Sequence, residues 1–210
     1  MSFTYPYPRP AVTADVVLFA VRDGLELLLI QRRSPPYEGR WALPGGFLDL
    51  DEELETAAGR ELEEETGLRV RALEQLGAYG KVGRDPRGRT VSVAYLALQW
   101  GAPPEAEAGD DAREARWFPA RRLPPLAFDH RQIVRDARRR LECLVETDRE
   151  ILRLAPRRFS LSEVRATYEA ILGREVAAAS LRRGLLRRGI VEECGGNGRG
   201  GKLYKLRKTA

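Results

Sequence analysis

The sequence predicts an α/β (α+β) chain in two units, a strand-and-helix body over residues 1–154 and a small basic unit over residues 155–210. Three observations carry this. Short, valine- and leucine-rich apolar runs are followed by helical patterns in the first unit. The segment Ala155-Pro156-Arg157-Arg158 reads as a linker. The charge changes sign across it: residues 1–150 carry 22 Lys and Arg against 26 Asp and Glu, and residues 151–210 carry 14 against 5. A length of 210 residues with 43% hydrophobic residues suits one large domain or two modest ones.

The elements follow in order. Residues 12–21 and 25–30 are apolar runs split by Arg22-Asp23-Gly24, which reads as a β-hairpin. Ser34-Pro35-Pro36 breaks the chain, and Trp41-Ala42-Leu43-Pro44-Gly45-Gly46 is a short extended piece ending in a glycine turn. Residues 51–66 read as a helix, with Leu54, Ala57, Ala58, Glu61, Leu62 and Glu65 at helical spacing and Gly67 as its stop. Asp49 or Asp51 is the expected cap. Gly59, inside this helix, costs it about 1 kcal/mol relative to alanine. Residues 73–81 and 91–100 are expected strands around an Asp85-Pro86-Arg87-Gly88 turn, residues 102–112 a loop, and residues 116–118 a short strand. After Pro124-Pro125, one long helix is expected over residues 129–154, with Ile133, Ala137, Leu141, Leu144, Ile151 and Leu154 facing inward. The basic unit reads as helix 161–172 capped by Ser160 or Ser162, helix 176–188 ending at Gly189, and strands 190–193 and 203–206 around a glycine turn at 195–201.

Some classes are excluded. No run of about 18 apolar residues exists to span a membrane, and the first ten residues do not resemble a signal peptide. Cys143 and Cys194 are far apart and read as buried or half-buried thiols of a reducing cytoplasm. His130 is the only histidine, which argues against a Cys/His zinc site.

The acidic helix carries the chemistry. Glu61, Glu64 and Glu65 are three and four residues apart and share one face. Their mutual repulsion calls for a positive partner, and a hard divalent cation such as Mg²⁺ would also take phosphate oxygens. Arg60 is placed to pair with Glu52 or Glu64, while Glu63 points elsewhere, into solvent. The alternative is a plain solvated helix face.

The segment from Gly46 to Leu68 resembles the Nudix box, G-x5-E-x7-R-E-U-x-E-E-x-G-U, with U aliphatic. Gly46, Glu52, Arg60, Glu61, Leu62, Glu64, Glu65, Gly67 and Leu68 fill every defined position, preceded by Gly39-x-Trp41-x-Leu43-Pro44-Gly45-Gly46. The resemblance implies a Nudix α/β/α sandwich with a mixed sheet over residues 10–154, and hydrolysis of a nucleoside diphosphate linked to another group. It implies Mg²⁺ (or Mn²⁺) held by Glu61, Glu64 and Glu65, one of which doubles as base, with Arg60 and Glu52 in the catalytic set. The Gly45 or Gly46 backbone would add a metal ligand or admit the phosphates. Arg32, Arg33 and Arg40 are candidate phosphate contacts by sequence proximity, the alternative being ordinary surface arginines. Glu114 is a candidate additional carboxylate.

Helix, helix, strand, glycine turn and strand resemble a small winged-helix domain. Its candidate DNA-binding residues are Ser180, Arg182, Arg183 and Arg187 on the second helix, with Arg199 and Lys202 at the turn. Arg188 lies on the same helix, and Leu181, Leu185, Leu186 and Ile190 are expected to face the core. A solvated basic face and an RNA-binding patch are the alternatives.

The combination resembles a more specific family. A Nudix domain, Leu126-Ala127-Phe128-Asp129-His130 opening a long helix, Phe159-Ser160-Leu161 and Tyr168-Glu169 further on, and Arg199-Gly200-Gly201-Lys202-Leu203-Tyr204-Lys205-Leu206 resemble the Nudix-related transcriptional regulators of NAD metabolism. That resemblance implies a cytoplasmic homodimer on double-stranded operator DNA, released when the Nudix domain senses ADP-ribose or a similar nucleotide. Phe128 and His130 are expected to serve a helix cap and packing. Regulators of this kind often carry a degraded box, whereas Glu61, Glu64 and Glu65 are all present here, so hydrolysis stays open. The alternatives are a metal-dependent Nudix hydrolase releasing AMP from ADP-ribose or a similar compound, its basic unit serving assembly, and a non-enzymatic nucleotide-binding adaptor.

Overall fold

The computed structural model describes residues 6–101, 103–109, 112–198 and 201–207. Strands β1 (Ala11–Val21) and β2 (Leu25–Arg32) form the expected hairpin, paired from Val21↔Leu25 to Phe19↔Leu27. Strands β3 (Trp41–Ala42) and β4 (Gly45–Phe47) follow, then helix α1 (Leu54–Thr66), strands β5 (Glu74–Tyr79) and β6 (Thr90–Gln99), and strand β7 (Ala112–Pro119). Among the described residues these strands make one sheet in the order β3-β2-β1-β6-β5, with β4 on β1 and β7 on β2. The sheet is mixed because β1 and β6 run parallel, from Ala11↔Thr90 to Ala20↔Gln99, while the other pairings are antiparallel.

The parallel pair lies at the centre, buried on both faces, which is why β1 and β6 read as near-continuous apolar runs. Alternate residues face opposite ways. Val17, Phe19, Leu29 and Leu96 pack against Ile133, Ala137 and Leu141 of helix α2 (His130–Glu146). Ala14, Val16, Leu18 and Tyr95 pack against Ala57, Ala58 and Leu62 of α1. This is the expected α/β/α sandwich, and each fully buried leucine, isoleucine or phenylalanine contributes roughly 1.5–3 kcal/mol.

The structure differs from the sequence reading at several element ends. Helix α1 starts at Leu54, and its N-cap is Glu53, in extended conformation with no side-chain cap bond. Neither Asp49 nor Asp51 caps it; Glu52 instead accepts from the Asp49 amide and holds Arg60. The short strand at 116–118 is longer, because β7 pairs with β2 from Glu26↔Pro119 to Arg32↔Ala112. The single long helix is broken. Helix α2 ends at Glu146, and helix α3 (Arg149–Arg153) restarts after Asp148, whose φ of 49° no continuous helix accommodates. Cys143 is exposed rather than buried, since Leu141 and Leu144 take the inward face of α2. Gly59 has open space where a Cβ would point. Gly59→Ala is therefore expected to raise stability by about 1 kcal/mol, read as a higher urea midpoint with unchanged slope.

The second unit contains strand β8 (Phe159–Ser160), helices α4 (Leu161–Leu172) and α5 (Ala178–Arg187), and strands β9 (Val191–Gly198) and β10 (Gly201–Leu206). Its sheet order is β8-β10-β9. Of the two expected caps, Ser160 serves: its hydroxyl accepts from the Glu163 amide and the Glu163 carboxylate accepts from the Ser160 amide, a capping box. The glycine segment expected as a turn is largely strand, since β9 runs to Gly198 and pairs with β10 at Gly198↔Gly201. Ala155, in the segment read as linker, is fully buried and its carbonyl accepts from Arg71. One apolar cluster runs from Phe19 and Leu141 through Phe159 to Leu185 and Tyr204. Among the described residues no helix is long and apolar enough to cross a membrane.

Candidate functional site

Gly45 and Gly46 bring β4 against both β1 and α1. A Cβ on Gly45 would collide with the Ala14 carbonyl, and Gly45 has a φ of 153° that disfavours other residues; a Cβ on Gly46 would collide with the Glu61 carboxylate. The close approach lets the Gly45 amide donate to Glu65 Oε2 at 2.8 Å. Glu65 is only 8% exposed.

Arg60 organises the other carboxylates. Its Nε and Nη2 donate to the two oxygens of Glu52, each at 2.8 Å. Its Nη1 donates to Glu61 at 2.8 Å and to Glu64 at 3.0 Å. The choice between Glu52 and Glu64 posed by the sequence is thus resolved as both, with Glu61 added. The Arg60 hydrogen bond holds the Glu52 carboxyl below the usual carboxylate range. Burial pushes the Glu61 carboxyl up, against the opposing pull of Arg60. Glu63 points to the outside and pairs with Arg69 at 2.6 Å.

Some of these groups wall a cavity of about 450 Å³, large enough for a nucleotide-sized ligand. Glu61, Glu65, Arg60, Gly45 and Gly46 line one side; Arg32, Arg33, Arg84, Arg87, Asp15, Asp85, Phe47, Phe128 and His130 line the others. Arg32 lies over the Phe128 ring at 5.0 Å, and Arg87 lies 5.8 Å from the same ring and 5.1 Å from Phe47. Burial, then the neighbouring Arg87, lowers the Arg32 pKa. Arg33 reaches the cavity while donating to the Ala112 carbonyl. Four expected residues are not part of this wall: Glu52 and Glu64, which Arg60 holds beside it, and Arg40 and Glu114. Arg40 is exposed; its carbonyl accepts from the Arg32 amide and its amide donates to the Tyr37 carbonyl. Glu114 lies on β7 opposite Gln31 and pairs with Arg116, away from the wall.

Sequence reasoning missed Asp15, Arg84, Asp85, Arg87 and Phe47. Arg84 is the most consequential. Its side chain is 4% exposed, it grips Asp129 through Nε and Nη2 at 2.7–3.1 Å, and it lies 3.8 Å from Asp15. Asp129, at the N-cap of α2, spends its carboxylate on Arg84 and makes no side-chain cap bond. Phe128 is part of the cavity wall and has a φ of 50°. His130 packs as expected: it is 3% exposed and its Nδ1 accepts from the Leu43 amide at 2.9 Å.

Burial lowers the His130 pKa. Its contribution to stability is present above the unfolded value of about 6.5 and is lost as the pH falls toward the folded value. Protonation of Nδ1 also removes the acceptor for Leu43. Wild type is therefore expected to lose more of its urea midpoint between about pH 7.5 and 5.5 than His130→Gln, which keeps an acceptor but does not titrate.

The donor chemistry around α1 suits a hard cation: carboxylate oxygens of Glu61, Glu64 and Glu65, next to a glycine cradle that a Cβ would fill. Arg60 already bridges Glu61 and Glu64, so a cation would take these oxygens over from the guanidinium. Among the described residues no three His, Cys, Asp or Glu side chains are pre-gathered into a cage.

The basic unit presents a second surface. Ser180, Arg182, Arg183 and Arg187 are exposed on α5, while Leu181 and Leu185 are buried beneath them. Leu186, expected in the core, is 38% exposed, since Leu185 alone fills the inward position at that turn. Lys202 is exposed on the wing and pairs with Glu193 at 2.8 Å. Arg199 lies outside the described residues.

An acidic-helix cavity on a mixed-sheet sandwich, fused to a basic helix-and-wing unit, is the arrangement of a Nudix domain joined to a winged helix. The profile of the NUDIX domain matches residues 9–137, and that of the NrtR DNA-binding winged helix domain matches residues 151–206. The chain is 37% identical over 192 residues to the ADPR responsive transcriptional repressor NtrR of Acinetobacter baylyi, covering 89% of this chain and 76% of that protein. It is 42% identical over 130 residues to an ADP-ribose pyrophosphatase of Methanocaldococcus jannaschii, covering 62% of this chain and 74% of that protein. The crystal structure of Shewanella oneidensis NrtR with a 27mer DNA superposes with a TM-score of 0.70 at 32% identity, covering 93% of each chain. The chain belongs to the NrtR family of Nudix-domain transcriptional regulators.

Proposed function

We propose that this chain is a DNA-binding transcriptional repressor, acting as a homodimer, whose Nudix domain (residues 1–154) senses ADP-ribose or a related nucleoside diphosphate derivative. The observation that carries this is the presence on one chain of two sites: a cavity of about 450 Å³ flanked by Arg32, Arg33, Arg84 and Arg87, and an exposed arginine face on α5. The arginines suit the diphosphate and the aromatic rings of Phe47 and Phe128 suit a base or sugar face. The α5 face and wing suit the phosphate backbone of a duplex. Two-fold symmetry would match a palindromic site. The ADPR response named for the Acinetobacter relative and the DNA held by the Shewanella relative support both halves.

A second reading has its own support. Glu52, Glu61 and Glu64 are joined through Arg60, and Glu65 accepts from the Gly45 amide beside them. With Mg²⁺ or Mn²⁺ on Glu61, Glu64, Glu65 and the Gly45 backbone, the bound ion would neutralise the diphosphate and lower the pKa of an attacking water. The chain would then release AMP from ADP-ribose, the activity named for the Methanocaldococcus relative. One experiment separates the two: a gel shift on the duplex upstream of the chain's own gene, with and without ADP-ribose, alongside AMP release in Mg²⁺. A shift relieved by ADP-ribose makes it a sensor-repressor; AMP release with no shift makes it a hydrolase.

A further inference from the structure

Helix α2 spans the distance between the two sites. Its N-terminal end belongs to the cavity, where His130 lines the wall and Asp129 grips Arg84. Its 17 residues carry it roughly 25 Å, to the seam with the second unit. There the helix breaks at Asp148, which is 7% exposed and held at a φ of 49°. Asp148 Oδ1 accepts from the Tyr168 hydroxyl of α4 at 2.8 Å, and Oδ2 accepts from Arg188, the C-cap of α5. Both oxygens of a buried carboxylate are thus committed to the second unit, an arrangement that is costly to leave half made. Arg188 directly follows Arg187 on the exposed basic face, yet its guanidinium turns back to the end of the sensor helix.

We propose that Asp148 is a positioning residue that ties the end of α2 to the orientation of α5, so that nucleotide in the cavity and DNA on α5 influence each other through Asp148, Tyr168 and Arg188. This rests on the sensor-repressor reading. The junction transmits because it links one rigid helix, footed in the cavity, to the C-terminal end of the reading helix. Coupling of this kind is reciprocal and typically amounts to about 5–150-fold in affinity.

The test uses the full chain, the labelled duplex upstream of its gene, and ADP-ribose. Fluorescence anisotropy gives the DNA Kd with and without ADP-ribose, and calorimetry gives the ADP-ribose Kd. Asp148→Asn, nearly isosteric, is expected to keep the ADP-ribose Kd within about twofold while the ratio of the two DNA Kd values falls toward one. Arg188→Gln is expected to lower the ratio likewise, and the double variant no further than the worse single one. Its log–log salt slope should match that of wild type, whereas loss of a phosphate contact would reduce it by about 0.9. Tyr168→Phe, which removes the other leg without changing charge, decides the matter if Asp148→Asn does not fold. An unchanged ratio in Asp148→Asn or, failing that, in Tyr168→Phe overturns the proposal. So does a reduced salt slope in Arg188→Gln with effects that simply multiply in the double variant. A wild-type chain with no DNA binding, or none that ADP-ribose alters, overturns the sensor-repressor reading and the proposal together.

Discussion

Changing Arg182 and Arg183 together to alanine is expected to weaken duplex binding about 100-fold and to leave ADP-ribose binding as it was. Both side chains are exposed on α5, above a core of Leu181 and Leu185 that neither supports. A charge-assisted contact to phosphate is worth about 1.4 kcal/mol or more, which is tenfold each. The salt dependence carries a second signature: the log–log slope should fall by about 2 as two counterion-releasing contacts disappear. Anisotropy titrations at several salt concentrations measure both quantities. Full DNA affinity in the double variant would remove α5 from the interface.

Arg84→Ala is expected to destabilise the Nudix domain by about 3–5 kcal/mol, the largest effect on folding foreseen for a single substitution here. The substitution leaves Asp129, and behind it the buried Asp15, without the guanidinium that neutralises them. The Coulomb attraction of an exposed ion pair would be worth under about 1 kcal/mol, but Arg84 is 4% exposed and its loss strands the half-buried Asp129 and the buried Asp15. Chemical denaturation reads the loss directly. A change below about 1 kcal/mol would mean that water replaces the guanidinium at no great cost, and that Arg84 serves the ligand rather than the fold.

Much of the fold was legible because its signals are local. The acidic helix, its Gly67 stop, the β1–β2 hairpin and the two helices of the basic unit are set by spacing, turn chemistry and periodicity within a few residues. The Arg60 carboxylate network was legible too, since each carboxylate lies within eight residues of Arg60. What the sequence withheld depends on contacts across long separations. The break at Asp148 answers to Tyr168 and Arg188, 20 and 40 residues away. Arg84 looked like one more turn arginine until Asp129, 45 residues on, turned it inward. Arg40 sits closer in sequence to the acidic helix than Arg32, yet of the two only Arg32 lines the cavity, so sequence proximity was a poor guide to the wall. Asp15 is hidden in a valine-rich run that, read alone, says only core.

The apolar cluster that passes without a gap from Phe19 to Tyr204 bears on how such a regulator can change over time. Phe159 and Trp100 stack across the seam at 6.4 Å, so neither unit closes its interior without the other. Sensor and reader should melt in a single cooperative transition, and a protease should find no early cut near residue 155. A lineage seeking a new operator therefore gains little by borrowing a foreign reader domain, whose inner face would not fit. The accessible route is point substitution on the outer face of α5, where Arg182, Arg183 and Arg187 stand clear of the shared interior.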